Sequence, residues 1–153
     1  MPQSVRAGHV IVADASAVVE VLLAMPRSGA VRAALAEHSE LHAPEHLNVE
    51  VLSALRRYAN RGELSEVRAA AALRALRDLR MLSYPVIELA EEIWGLRAAL
   101  SACDAAYLAL ARRLDIGLVT LDAGLARAAA DGTPCGTLRH ASAAGYLVQA
   151  QAR

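Results

Sequence analysis

The sequence contains no lysine and no phenylalanine, and it has only two cysteines, Cys103 and Cys135. The absence of lysine excludes any chemistry that needs a lysine side chain. Two cysteines cannot form a framework of several disulfides and their spacing matches no zinc motif, so we expect reduced thiols in the cytoplasm. Asp14 and Glu20 interrupt the longest apolar run, and the first ten residues lack the pattern of a signal peptide. Neither a membrane span nor export is therefore expected.

What the chain does contain is apolar surface, since 56% of its 153 residues are hydrophobic although only 3% are aromatic. This length predicts one domain, residues 1–153, with a core of small and branched side chains. The 16 basic residues are all arginine and balance 16 acidic ones, so the net charge is zero. Net charge therefore argues neither for nor against a nucleic-acid partner, and polyanion binding would depend on local arginine clusters.

Short runs of β-branched and apolar residues alternate with segments of helical periodicity. We predict strands at VIVA (10–13), ELHAP (40–44), YPVIEL (84–89) and IGLVTLD (116–122), and a weak strand near 135–138. Leucine and alanine at helical spacing occupy the intervals between them. Strands that alternate with helices indicate an α/β domain with a central parallel sheet covered by helices on both faces.

Four acidic residues stand at positions where such a fold forms a cleft. Asp14 and Asp122 each come at the end of a predicted strand, and ligands bind beyond the carboxyl ends of parallel strands. Asp104 begins a helix, and Glu50 lies on the flank of the apolar stripe of another helix. Helix capping or a solvated helix flank can explain any one of these acidic residues taken alone. This explanation is weakest for Asp14. Together they predict a cluster of carboxylates at one edge of the sheet.

Clustered carboxylates repel one another unless a cation neutralises them. Because all four donors are oxygens, the set favours Mg²⁺ or Mn²⁺ over zinc. Such an ion activates water and stabilises the charge that develops on a phosphodiester. Ser16 and Thr120 each lie two residues from an acid, and we expect their hydroxyls to orient a carboxylate or a bound water. Helix capping explains Ser16 equally well.

Arginines follow two of the acidic residues along their helices. Arg56 and Arg57 come after Glu50, and Arg112 comes after Asp104. Side chains in these positions are candidates for holding the phosphates of a nucleic acid. A solvated helix face is the alternative explanation of any single one of them.

The stretch HAPEH (42–46) matches H-x-x-E-H, a zinc-protease pattern that needs both histidines on one face of a continuous helix. Pro44 is expected to begin the helix, which would leave His42 outside it. A zinc site at this stretch is therefore not expected. Cys103 has no evident histidine partner and is expected to be a small buried residue rather than a nucleophile.

Four motifs, in this order, resemble those of the PIN-domain family, and within it the VapC-type toxins of bacterial toxin–antitoxin pairs. They are carried by VIVADASAVVEVLL with Asp14 and Ser16, APEHLNVEVLSALRR with Glu50, and SACDAAYLALARRLDIGLVTLDAGLA with Asp104, Thr120 and Asp122. The resemblance implies a three-layer α/β/α sandwich, a metal-dependent endoribonuclease and a homodimer. It also implies a cognate VapB-like antitoxin that blocks the acidic groove. The four acids would hold the metal or position its water.

Other functions of an α/β domain with clustered acids are also possible. A receiver-type phosphoacceptor domain commonly relies on an adjacent acidic pair and a lysine, and this chain has no lysine. A haloacid-dehalogenase-type phosphatase would need D-x-D where this chain has Asp14-Ala15-Ser16. The main alternative is a catalytically inactive RNA- or protein-binding module of the same fold. Metal binding that is lost on substitution of Asp14 or Asp122 would distinguish the enzyme from the module.

Overall fold

The structure, a computed structural model, describes residues 10–131 and, for the backbone, two further strands at 136–141 and 145–150. The strands are β1 (Val10–Ala13), β2 (Glu40–Pro44), β3 (Met81–Tyr84), β4 (Gly117–Thr120), β5 (Gly136–Ala141) and β6 (Gly145–Ala150). The helices are α1 (Ala15–Leu22), α2 (Ser28–Ala36), α3 (Leu47–Asn60), α4 (Glu66–Asp78), α5 (Ala90–Gly95), α6 (Ala102–Leu114) and α7 (Ala123–Asp131). None of these helices, all within the described residues, is long and apolar enough to cross a bilayer.

One sheet carries all six strands in the order β3-β2-β1-β4-β6-β5. The first four are parallel, and β6 pairs antiparallel with both β4 and β5. The connections β1 to β2 and β2 to β3 cross the sheet in one direction, and β3 to β4 returns. Right-handed crossovers then place α1–α4 on one face and α5–α7 on the other. The packing of α1 on α2 and α3, and of α6 on α5 and α7, agrees with this, so the predicted α/β/α sandwich is confirmed.

The core is centred on β1, which is buried along its whole length. Ile11 and Val12 are fully buried because helices cover the central strands on both faces. From one of these faces, α6 contributes Tyr107 and Leu110, and Leu118 of β4 belongs to the same apolar cluster. Burial of each large apolar side chain contributes about 1.5–3 kcal/mol. The apolar run that ends at Asp14 is therefore a buried central strand.

Two local predictions in the first half of the sheet are wrong. The third strand is β3 at 81–84, whereas Val86–Leu89 of the predicted strand form a short 3₁₀ helix. Pro85 directly precedes this helix, and Ile87 within it is exposed to solvent. Pro44 ends β2 instead of beginning α3, which starts at Leu47. A proline is tolerated at the end of a strand, where its missing N–H interrupts little of the ladder.

The chain after α7 forms a hairpin that was only partly predicted. The weak strand expected near 135–138 overlaps β5, but β6 was not predicted. Their pairing continues the sheet beyond β4 in antiparallel fashion. The small residues of this segment give little of the alternation of apolar and polar residues that marks a strand.

The strand order reverses between β1 and β4. These neighbours are parallel, and their connections leave toward opposite sides of the sheet. The carboxyl ends of such a pair form the switch point at which open α/β sheets bind ligands. Asp14 and Asp122 follow these two strands, so the fold places both at the switch point.

Candidate active site

Asp14 joins β1 to α1 and is almost completely buried, with 4% of its surface exposed. Its Oδ1 accepts hydrogen bonds from the backbone N–H of Ala17 at 2.9 Å and from the hydroxyl of Ser16 at 2.6 Å. The first bond caps the N-terminus of α1, where the helix dipole also favours a negative charge. Asp14 is thus both a capping residue and a buried carboxylate.

Two hydroxyl groups connect Asp14 to the end of β4. Thr120 donates to Asp14 Oδ2 at 2.5 Å and accepts from the N–H of Asp122 at 2.9 Å. Ser16 donates to Asp14 Oδ1 and accepts from the N–H of Leu121 at 2.9 Å. Each hydroxyl therefore donates to the carboxylate and accepts from a backbone N–H of the two residues that follow β4. The predicted orienting role of Ser16 and Thr120 toward a carboxylate has a direct geometric basis.

Burial raises the pKa of Asp14 from its ordinary value of 3.8 to about 6. The hydrogen bonds from Ser16, Thr120 and Ala17 oppose this rise because they favour the charged form, whereas the charge of Asp122 adds to it. A carboxylate with this pKa carries a charge at neutral pH that is costly to keep buried. A cation nearby would lower that cost.

The other two aspartates stand at helix starts. Asp122 is exposed, and its Oδ1 accepts from the N–H of Leu125 at 2.7 Å in the first turn of α7. Asp104 lies in the first turn of α6, where its Oδ2 accepts from the hydroxyl of Ser101 at 2.7 Å. Ser101 in turn accepts from the N–H of Asp104 at 3.2 Å. Asp122 therefore caps α7, as the capping explanation expects, whereas Ser101 caps α6 and Asp104 lies in the first turn of that helix. Both aspartates also line the cleft described below.

Glu50 lies on α3, and 31% of its side chain is exposed. The hydroxyl of Tyr107 donates to Glu50 Oε2 at 2.5 Å, and His46 Nε2 approaches the same oxygen at 3.4 Å. The neighbouring imidazole holds the pKa of Glu50 below its usual range, and the bond from Tyr107 acts in the same direction. Burial raises the pKa of Tyr107, which remains a proton donor to the carboxylate. Glu50 is therefore an oriented anion.

All four predicted acids line one cleft of about 590 Å³ above the switch point. They do not form a tight cage. Within the described part of the chain, no three of these carboxylates bring oxygens within 4.8 Å of one another. The structure thus brings the four acids to one cleft, in an arrangement looser than a preformed metal cage.

The residues that line the cleft fit a hard divalent cation by donor type, since they offer carboxylate oxygens from four separate segments of the chain. Asp14 Oδ1 already accepts two hydrogen bonds, whereas Oδ2 accepts one and has a lone pair left. The raised pKa of Asp14 reflects the unfavourable burial of its charge, which a bound cation would offset. A loose set of carboxylates also suits Mg²⁺, which keeps several of its waters when it binds.

The predicted arginines divide between two surfaces. Arg57 lines the acidic cleft. Arg56 is exposed and is not among the lining residues, and Arg112 lines a separate cavity beside Glu92. Arg27, which the sequence analysis did not single out, lies at the cleft near Glu20. Arg27 and Arg57 are thus the arginines that the fold brings to the acids.

Glu20 and Tyr107 also line the cleft, and neither was predicted as a site residue from the sequence. Glu20 is buried and accepts from the backbone N–H of Arg27 at 2.5 Å, so it fixes the turn after α1. The feature of the sequence that could have identified Glu20 is its charge within an otherwise apolar helix, α1. The signal of Tyr107 was its position one turn after Asp104, which puts both on one face of α6.

The zinc-protease pattern at 42–46 is excluded by the fold. His42 lies in β2 and His46 precedes α3, so the two do not share a helix face. His42 Nδ1 instead contacts the hydroxyl of Tyr84 at 2.7 Å. The expectation that His42 lies outside the helix is confirmed, although the helix begins later than Pro44. Cys103 is exposed, contrary to the expected burial.

We expect Thr120→Val to destabilise the fold by about 1–3 kcal/mol and to raise the pKa of Asp14 further. Valine keeps the shape but leaves Asp14 Oδ2 and the N–H of Asp122 without their shared partner. Denaturant unfolding and carboxyl NMR titration measure the two effects. Ser53→Ala, which removes another hydroxyl from the cleft lining, is the matched control. An unchanged Asp14 titration in Thr120→Val would contradict the role given to this hydroxyl.

Comparison with solved structures shows the same fold elsewhere. The crystal structure of PAE2754 from Pyrobaculum aerophilum superimposes with a TM-score of 0.57 at 23% identity. The match covers 82% of this chain and 83% of that one. At this identity the likeness concerns the fold alone.

Curated relatives are closer in sequence. VapC ribonuclease Mb0985 of Mycobacterium bovis is 44% identical over 112 residues, which are 73% of this chain and 85% of the relative. Ribonuclease VapC1 of Mycobacterium tuberculosis is 44% identical over 125 residues, covering 81% and 92%. Ribonuclease VapC3 of the same species is 40% identical over 119 residues, covering 77% and 86%. The sequence profile of the PIN domain matches residues 11–131. The chain therefore belongs to the PIN-domain family, as a member of its VapC type.

Proposed function

We propose that this protein is a Mg²⁺-dependent endoribonuclease and the toxin of a type II toxin–antitoxin pair. The observation that carries the proposal is the cleft at the switch point, where Asp14, Glu50, Asp104 and Asp122 line one cavity. Sequence relatives of the VapC ribonuclease type support it. In this proposal the four acids hold the cation, Mg²⁺ or Mn²⁺, or position its water.

A hard cation bound among these acids would supply an activated water and would stabilise charge on the phosphodiester. The chain's own residues prepare the cleft for that chemistry. Ser16 and Thr120 hold Asp14 in one orientation, and Tyr107 does the same for Glu50. Pre-oriented carboxylates need no rearrangement during the reaction, which is how electrostatic stabilisation in an active site becomes large.

Arg57 and Arg27 are the candidate ligands of the RNA backbone. Both line the acidic cleft, and the Arg27 side chain is 46% exposed and 3.9 Å from the Glu20 carboxylate. An arginine guanidinium can donate two parallel hydrogen bonds to one phosphate group. Roles for Arg56 and Arg112 rest on the sequence alone.

The partners in this proposal are an RNA substrate, a second copy of the chain and a cognate VapB-like antitoxin, all within the cytoplasm. Their support is the VapC type of the sequence relatives. An antitoxin that covers the acidic cleft with basic side chains would neutralise the carboxylates and exclude RNA together.

The test is cleavage of total RNA by purified, folded and antitoxin-free protein with Mg²⁺ or Mn²⁺. We expect fragments from the wild type, none with EDTA and none from Asp104→Asn. Asp78→Asn, at the exposed end of α4 outside the cleft lining, is the matched control and should cleave normally. Cleavage that persists in EDTA would contradict the metal dependence. No cleavage of tRNA, rRNA or mRNA with either metal would favour the inactive binding module.

A further inference from the structure

A second group of metal-ligating side chains lies beside the acidic cleft. His46 precedes α3, Glu50 lies one turn into that helix, and Cys103 lies in the first turn of α6. Each offers one ligand atom, and these atoms all lie within 4.8 Å of one another. It is the only such group among the residues that the structure describes.

The imidazole of His46 supplies an independent observation. Both of its ring nitrogens are buried, and neither makes a hydrogen bond. Nε2 only approaches Glu50 Oε2 at 3.4 Å, and the ring packs against that of Tyr107 with centroids 5.0 Å apart. Buried polar atoms in native proteins nearly always have partners, whereas Nδ1 has none and Nε2 has only this long contact with Glu50, so a ring nitrogen is available to a metal ion.

The donor set differs in kind from that of the acidic cleft. It combines an imidazole nitrogen, a thiol sulfur and one carboxylate oxygen, a set that selects zinc and similar transition metals over Mg²⁺. Ligands around a tetrahedral zinc lie roughly 3.3–3.8 Å apart, so small side-chain rotations would close the group. Three protein ligands would leave the fourth position open.

We propose that His46, Glu50 and Cys103 form a Zn²⁺ site that inhibits the protein by withdrawing Glu50 from the acidic cleft. Glu50 is the ligand common to both sets, and Tyr107 already fixes its Oε2 next to His46. The ion at this site competes with the cation of the cleft for one carboxylate. Zinc binding stands on the geometry alone, whereas the inhibition rests on the proposed nuclease function.

Binding is tested with the metal alone on the full-length, metal-free protein. Zn²⁺ is titrated in competition with a chromophoric chelator, and Co²⁺ is added separately to detect thiolate absorption. We expect one equivalent of Zn²⁺ and a thiolate–Co²⁺ band in the wild type. Cys103→Ser, a conservative change at an exposed position, should remove the band and weaken Zn²⁺ binding by about 100-fold. His46→Gln should weaken it comparably.

Asp122→Asn is the control for zinc bound by the acidic cleft, since Asp122 is not in the proposed set. Zinc binding that survives Cys103→Ser but is lost in Asp122→Asn would overturn the proposal, as would no stoichiometric binding. In the RNA assay, Zn²⁺ should inhibit Mg²⁺-supported cleavage by the wild type but not by Cys103→Ser. Equal inhibition of both would refute the regulatory role. If the wild type cleaves no RNA at all, the proposed function fails while the binding result stands.

Discussion

Replacing Asp14 by asparagine is expected to abolish RNA cleavage and, at the same time, to stabilise the fold. Asparagine is close to aspartate in shape, and its carbonyl can still accept from Ser16 and the N–H of Ala17. It removes the charge that would hold the cation, and we expect cleavage to fall by about 10³-fold or more.

The stability gain follows from the buried charge. A pKa raised to about 6 means that the ionised Asp14 opposes folding at neutral pH, by at most about 3 kcal/mol. The amide loses part of this gain because the Thr120 hydroxyl must turn to meet an N–H, so we expect about 1–2 kcal/mol. Urea unfolding at pH 7.5 in EDTA measures the difference, with Asp131→Asn at the exposed end of α7 as control. A variant that is inactive and also less stable than the wild type would show that Asp14 is chiefly structural.

The same carboxylate makes the stability of the wild type depend on pH in a defined direction. The folded protein keeps the Asp14 proton up to about pH 6, whereas the unfolded chain loses it near the ordinary value of 3.8. Between these values the folded state binds more protons, so the free energy of unfolding falls as pH rises. Without divalent cations, the free energy of unfolding of the wild type should fall by about 3 kcal/mol more than that of Asp14→Asn. Comparing the two proteins cancels the contribution of every other titrating group.

Mg²⁺ should reverse this loss above pH 6, because an ion that binds only the folded state stabilises it by mass action. At 100 times its dissociation constant the gain is about 2.7 kcal/mol. Unfolding curves of the wild type and Asp14→Asn at several pH values, with and without Mg²⁺, measure both effects. Equal stabilisation of the two proteins by Mg²⁺ would place the ion elsewhere.

The parts of the fold that could be predicted from sequence are those where apolar patterning and burial coincide. VIVA and GLVT are buried strands, and their pattern alone is sufficient to identify them. Edge strand β3 (MLSY) is half exposed and has no such pattern. The strand was therefore predicted at the more apolar segment that follows, which contains VIEL. β3 ends just before Pro85, and the residues after this proline form a 3₁₀ helix in which Ile87 is exposed to solvent.

Within the candidate site, a residue was predictable where a charge follows an apolar strand, as at Asp14 and Asp122. Glu50 and Asp104 required the helix geometry or the family resemblance as well. Of the partners that orient these acids, Tyr107 was harder to predict, because it reaches Glu50 of α3 from a different helix, α6. His46 lies four residues before Glu50, a spacing that the sequence itself shows. The separation of Arg112 from the cleft also depends on how α6 is rotated, which periodicity does not fix.

The proposed metal-dependent mechanism is tested most directly by the chemistry of the RNA ends that the wild-type protein leaves with Mg²⁺. Attack by water held at the four acids leaves the ribose 2′-hydroxyl out of the reaction. We therefore expect fragments with free 3′-hydroxyl and 5′-phosphate ends, which a ligation and phosphatase assay identifies. Fragments that end in 2′,3′-cyclic phosphate would contradict this mechanism, because they require the 2′-hydroxyl as the nucleophile and need no cation in the acidic cleft.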